Sequence, residues 1–210
     1  MKKFLVLGIL FALPITAYLF FASGKNNFAR LPVLTEKVKD IKDFNTNTDS
    51  LISFEDRISV VAFFGSDLDN IKGNTFNLDQ KILEKYYSFN DFQFVIILPN
   101  SVRDETQAFV EDFKKISESS KWKIAYSSPE KIQEVFESFE TPYKLDENSY
   151  SPYVFIVDKD AKLRGRDDEK EGKLYGYDSR DVAELSNKMN DDVKVILAEY
   201  RLALKRNKKD

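Results

Sequence analysis

Residues 150–163, Tyr150-Ser-Pro-Tyr-Val-Phe-Ile-Val-Asp-Lys-Asp-Ala-Lys-Leu163, decide how the chain folds. Tyr153 to Val157 (YVFIV) is an unbroken aromatic and β-branched run, the composition of a strand buried on both faces. Lys159-Asp160-Ala161 is a polar turn, and a partner strand starts at Leu163, so the pair reads as a β-hairpin. Beyond it Val182, Leu185, Met189, Val193, Ile196, Leu197, Tyr200 and Leu204 recur every three or four residues. That spacing draws one apolar stripe along a long terminal helix.

Working back from this hairpin, strands and helices alternate. Ile58 to Gly65 (ISVVAFFG) is a continuous apolar run, Phe92 to Leu98 (FQFVIIL) reads as a second buried strand, and Trp122 to Tyr126 as a third, short one. Between the first two, a helix is expected with Phe76, Ile82, Leu83 and Tyr86 or Tyr87 facing inward. Ser101 with Asp104 resembles a capping box, ahead of Phe109, Phe113 and Ile116 on one helical face. Ser128-Pro129-Glu130 places a capping serine before a proline at the first helical position, and Ile132, Val135, Phe136 and Phe139 follow. Lys39 to Asn45 and Ser50 to Ser53 read as a small hairpin around a turn at residues 45–49. The order ββ-β-α-β-α-β-α-β-β-α makes an α/β fold: a central mixed sheet with helices on both faces. The closing hairpin plus helix is the signature of a thioredoxin-like fold. Pro152 stands directly before the strand, where such folds carry a cis-proline.

Composition narrows the chemistry. The 210 residues contain no Cys and no His, and Met only at positions 1 and 189. Disulfides, thiol redox chemistry, the common zinc and haem ligations and Cys/His or Ser/His nucleophiles are all removed. A Cu(I) site lacks its natural thiolate, thioether and imidazole donors. No cofactor is expected, and the chain is read as not an enzyme. Eighteen Phe and ten Tyr supply an aromatic core, while a net charge of −3 with interspersed signs gives no basic face for nucleic acid.

The first 23 residues read as a transmembrane signal anchor. Phe4 to Ala22 is uncharged and just long enough to cross a bilayer; Lys2 and Lys3 favour an N-in orientation. A cleaved signal peptide ending near Ala22-Ser23-Gly24 is the competing reading. Residues 24–37 read as a polar stalk, and residues 38–210 as the folded domain. The expected location is the inner membrane, single-pass, with the domain outside the cytoplasm.

Over roughly residues 38 to 205, plus the anchor, the chain resembles the Sco/SenC family of membrane-anchored thioredoxin-fold copper chaperones of cytochrome oxidase assembly. The resemblance rests on VVAFFGS (60–66), Arg103-Asp104-Glu-Thr106 and YVFIVDKDAKLRG (153–165), in that order. It implies a Cys-x-x-x-Cys pair after the first long strand and a His before the last one. Here Asp67 and Ile71 stand at the cysteine positions and Tyr150 at the histidine. The resemblance therefore implies a member that has kept the scaffold without its ligands, working by protein binding in the cell envelope, with an oxidase complex as the family's context.

The remaining candidates each carry two readings. Asp67 and Asp69, with Asn70, fit helix capping; a hard-metal loop lacks its Gly and closing Glu at the required offsets. Tyr150 beside Pro152 either fills the former ligand site or makes a proton-transferring pair with Asp67, the basis of an enzymatic alternative. The run Arg164-Gly-Arg166-Asp167-Asp168-Glu-Lys-Glu-Gly-Lys173 is a solvated hairpin extension, or a docking loop in which Arg164, Arg166, Tyr175 and Tyr177 meet a partner. The cationic tail at 205–209 either complements the helix dipole or touches anionic lipid.

Overall fold

The three apolar runs become the parallel middle of one sheet. The computed structural model describes residues 10–18, 30–46, 51–113, 119–170 and 172–207. Strands β3 (Ile58–Phe64), β4 (Phe92–Pro99) and β5 (Trp122–Ser127) lie parallel, with Val60 opposite Phe94 and Ile96 opposite Ile124. β3 and β4 are buried throughout, which is why their sequences do not alternate. β6 (Tyr150–Val157) runs antiparallel beside β3, and β7 (Leu163–Arg164) returns beside β6. β1 (Val33–Thr35) edges β7, while β2 (Asn45–Thr46) edges β5. The sheet order is β1-β7-β6-β3-β4-β5-β2, and a further short strand, β10 (Tyr177–Asp178), pairs with β6. Residues 166–174 form a separate hairpin of β8 (Arg166–Glu169) and β9 (Gly172–Leu174).

Two layers cover the sheet. One face, with Val60, Ala62, Phe94 and Ile96, packs against α1 (Leu68–Leu78) and the terminal helix through Ile71, Leu78, Leu185, Met189 and Val193. The other face, with Val61, Phe63, Val95 and Phe155, is covered by α3 (Pro129–Glu137) through Ile132, Val135 and Phe136. Phe63, Phe136, Phe139 and Phe155 meet there edge to face at centroid separations of 5.0 to 6.2 Å, the preferred geometry for aromatic quadrupoles. α2 (Arg103–Phe113) connects β4 to β5. α4 (Val182–Asn207) closes the chain and includes a π-helical turn at Leu185–Met189. Ser128 caps α3 as expected, its hydroxyl accepting from the Lys131 amide with Pro129 in the first turn.

Four expectations are corrected. Residues 31–37 are not stalk: Leu31 is buried and Val33–Thr35 completes the sheet edge against β7, because a β-branched Val-Leu-Thr run fits a pleated edge. Among the described residues the hairpin of residues 39–45 and 50–53 does not form, residues 47–50 lying outside them. Asn45–Thr46 pairs instead with Tyr126 and Ala125, while Val38, Ile41, Phe44, Ile52 and Phe54 lie in the core beneath α3. Phe76 is half exposed. α1 runs into a π-helical turn, Asp79–Leu83, whose extra residue shifts the phase, so counting back from Leu83 lands one position beyond the buried Thr75. No cis peptide occurs among the described residues, so Pro152 is trans. It falls where the β3–β6 register shifts between Ala62 and Phe64, a place where a missing N–H costs no ladder bond. The expected anchor is not among these corrections: residues 10–18 are helical, residues 4–9 and 19–22 lie outside the described residues, and among the described residues no helix is long and apolar enough to cross a membrane.

Candidate functional site

The carboxyl ends of parallel strands are where open α/β sheets collect their binding groups. There β3 gives way to α1 across Gly65, Ser66 and Asp67. Gly65 has φ +64, and a Cβ at this position would lie 2.7 Å from both the Asn148 carbonyl oxygen and Tyr150 Cβ. Only glycine allows the turn and the close approach of Tyr150 together.

Asp67 caps α1, its Oδ1 accepting from the Asp69 amide at 2.9 Å and the Asn70 amide at 3.2 Å. Asp69 is exposed in the first turn. Ile71 is fully buried in the core. Tyr150 begins β6 opposite Phe64 and packs on the same core. Its hydroxyl accepts from Asn74 Nδ2 at 3.3 Å, with Asn74 itself buried. Asp67 and Tyr150 thus spend their polar atoms on different partners, and the pair needed for proton transfer is not assembled. The Asp146 carboxylate accepts from the Asn148 and Tyr150 amides and fixes the turn that delivers Tyr150.

Pro152 is also occupied. Its carbonyl accepts from both the amide and the hydroxyl of Ser179, at 2.8 and 2.7 Å. With β10 paired to Tyr153 and Val154, the outer edge of β6 is covered by the chain itself. Arg180 lies beyond this cover and grips Asp178 with Nε and Nη2 at 2.9 and 2.7 Å. That fork pulls the Asp178 carboxyl below its ordinary range and raises Arg180. Tyr143 stacks on Tyr153 at 3.8 Å with planes 9° apart; burial, then the neighbouring Tyr153, pushes its phenol up to about 12.

The dense charge run turns inward, which corrects the docking-loop reading for Arg164 and Tyr177. Arg164 is buried, donating to the Leu31 carbonyl at 2.8 Å, Asp158 at 2.8 Å and Glu199 at 2.7 Å. Arg166 binds Asp192, Glu169 and the Lys188 carbonyl. The Tyr177 hydroxyl, fully buried, donates to the same Asp192 carboxylate; burial and that charge raise its pKa well above the ordinary phenol value. These groups pair because the hairpin lies on α4, whose carboxylates would otherwise be stranded against the core. Tyr175 is half-buried beside the aromatic cluster.

The fold has known counterparts. No family model matches the sequence, and no curated protein matches it significantly. Solved structures do match. BsSco, described as a member of the Sco family of cytochrome c oxidase assembly proteins, aligns with 78% of this chain and 95% of its own at 15% identity and a TM-score of 0.55. Copper-bound ScoI of Arabidopsis thaliana covers 75% and 98% at 16% identity and 0.50. A candidate protein disulfide isomerase from Bacteroides thetaiotaomicron covers 81% and 95% at 10% identity and 0.54. The fold is thioredoxin-like. The Sco proteins share it, and at these identities the likeness extends to architecture alone.

Copper, the cargo that the Sco resemblance implies, does not fit the residues present. Ile71 offers no donor, Asp67 is committed to backbone amides and Tyr150 to Asn74. Among the described residues no group of three carboxylates converges to hold any other ion. Sequence reasoning found Asp67 as a cap but missed Asn74, Ser179 and Arg180. Asn74 had a signal, as a polar residue one turn beyond Ile71 on the buried stripe. Ser179 and Arg180 had none, since their roles depend on a chain reversal after the β8–β9 hairpin.

Proposed function

We propose that this is a membrane-tethered thioredoxin-fold protein that works by binding a protein partner, without redox turnover or copper transfer. Its place is the inner membrane, with residues 4–22 as the anchor and the folded domain outside the cytoplasm. The partner proposed is a respiratory oxidase under assembly, or another envelope complex, a step taken by analogy with Sco-type proteins. One observation carries the reading: at the end of the sheet where a ligand site would lie, Asp67, Tyr150 and Pro152 are already engaged within the chain. Asp67 caps α1, Tyr150 meets Asn74 and Ser179 holds the Pro152 carbonyl. A closed polar surface of this kind suits contact with another protein better than turnover of a small molecule.

The test is affinity capture of the full-length chain from its own membranes in mild detergent, with quantitative mass spectrometry. Reproducible enrichment of oxidase subunits is the expected result, and capture of an unrelated complex removes the oxidase assignment. Stoichiometric copper binding at micromolar affinity, or thiol-independent turnover, overturns the non-catalytic reading.

A further inference from the structure

At the opposite end of the sheet, the starts of three parallel strands bring cations together. Arg57 precedes β3, Asn90 precedes β4 and Lys121 precedes β5, with Lys123 one residue inside β5. They line a cleft of about 350 Å³ together with Gln93, Ser120 and the exposed Leu51. Arg57 Nη1 and Lys121 Nζ both donate to the Asn90 carbonyl, at 3.0 and 3.4 Å, and Lys121 also donates to Phe89 O at 2.6 Å. Two cations thus converge on one neutral oxygen.

No ion pair involves Arg57, Lys121 or Lys123 among the described residues. The nearest carboxylates are paired with other cations: Glu55, which also lines the cleft, with Lys37 and Lys42, and Asp91, whose charge partly offsets the repulsion on Lys121, with Lys159. By contrast, Lys131 is matched to Asp43 and Lys162 to Glu36. Burial, then the adjacent guanidinium, holds the Lys121 ammonium below its usual range. An anion in the cleft relieves that repulsion and supplies a direct ion-pair partner for these cations.

We propose that the Arg57–Lys121–Lys123 cleft binds the oxyanion group, phosphate or carboxylate, of a small soluble molecule. The planar Arg57 fork and the Lys121 point charge supply complementary donors for such a group. A membrane headgroup carries the same chemistry but suits the position less. β1 runs antiparallel to β7, β7 to β6 and β6 to β3. β1 stands at one edge of the sheet, five strands away from β5 and its Lys123, so this edge lies across the sheet from the cleft.

Isothermal titration of the full-length chain, held in neutral detergent, with citrate, pyrophosphate and inorganic phosphate tests the site. At least one of them is expected to saturate at one per chain, and Arg57→Gln with Lys121→Gln weakens it at least ten-fold. Arg180→Gln, at the other end, leaves it unchanged. Bound anion is also expected to slow acetylation of Lys121 relative to Lys72, read by mass spectrometry. Absence of saturable binding, or affinity unaltered by the double variant, overturns the proposal. So does a chain in phosphatidylcholine nanodiscs that ignores all three anions yet is captured by phosphatidylglycerol vesicles through the same two residues; the cleft would then read a lipid surface.

Discussion

Two basic clusters in this molecule invert what their sequences suggest. The run at residues 164–173 is dense in charge and looks like a docking loop, yet Arg164 and Arg166 are folded onto Asp158, Glu199 and Asp192. Arg57 and Lys121 stand sixty-four positions apart in unremarkable sequence, yet they meet at one carbonyl, with no ion pair to either among the described residues. Density of charge along a chain thus says little about binding. What matters is whether the fold supplies each charge with a partner. The first cluster is structural cement, and the second has unspent attraction.

The largest expected effect lies in the paired cluster. Arg164→Met leaves Asp158 buried without its cation and should destabilise the domain by about 3–5 kcal/mol, the usual cost of breaking a buried pair. Denaturant unfolding measures it. A loss below 1 kcal/mol would mean that the Asp158–Arg164–Glu199 network contributes little, and the contrast between the clusters would fail.

Next comes the turn that presents Tyr150. Gly65→Ala imposes a left-handed conformation on alanine at about 1–2 kcal/mol and drives Cβ into Asn148 and Tyr150. The total should reach about 2–4 kcal/mol in the same experiment. Gly73→Ala is the control, since a Cβ there meets nothing within 4 Å; on an α-helix that change should stabilise by up to about 1 kcal/mol.

Much of this was legible in the sequence, for identifiable reasons. Ile58–Phe64, Phe92–Pro99 and the hairpin after Tyr153 announce themselves because burial on both faces leaves their strands almost wholly apolar, with only Ser59 and Gln93 as polar members of the first two, hydrogen-bonded to each other. The Ser128-Pro129 helix start was readable because capping is local. What escaped was set by distant contacts. Asn45–Thr46 leaves its expected hairpin because the β5 edge offers unpaired backbone groups, and Phe76 turns outward because an inserted π turn shifts the helix phase. The candidate site was half visible: Asp67 as a cap follows from type and position, whereas its neighbours Asn74 and Ser179 arrive from elements read as core and loop.

Acid should separate the domain's matched carboxylates from its cleft. Asp40 is held below the usual carboxylate range: burial pushes it upward, but the Ser53 hydroxyl, the Phe54 and Ile41 amides and Lys42 outweigh that push. Asp178 is lowered through Arg180. A lowered native pKa contributes stability that is complete above the unfolded value of about 4 and is lost as pH falls through the native one. Unfolding midpoints should therefore hold steady from neutrality to about pH 5 and drop below about pH 4. In Asp40→Asn that drop should shrink. An unchanged acid limb would show that Asp40 is not among the groups responsible.

Helix capping gives a smaller contrast within one turn. Asp67→Ala removes the acceptor for two amides and should cost about 1 kcal/mol. Asp69→Ala removes only a dipole contribution, about 0.3 kcal/mol. The reverse order would assign the end of α1 to Asp69 and undo the account of what Asp67 does.

The smallest effect is the most discriminating, because it concerns a sign. In a double-mutant cycle, Arg164 and Asp158 should show a favourable coupling, since each without the other is a stranded buried charge. Arg57 and Lys121 should show the opposite. Removing either relieves repulsion, and the Phe89 carbonyl still accepts from the Phe92 amide. Arg57→Gln and Lys121→Gln are then each expected to leave stability within about 0.5 kcal/mol, with an unfavourable coupling of a few tenths in the parent chain. Citrate or pyrophosphate at saturation should turn that coupling favourable, because the anion now joins the two cations. A favourable coupling without any anion would mean that the pair is already balanced within the fold, and the difference between the two clusters would vanish.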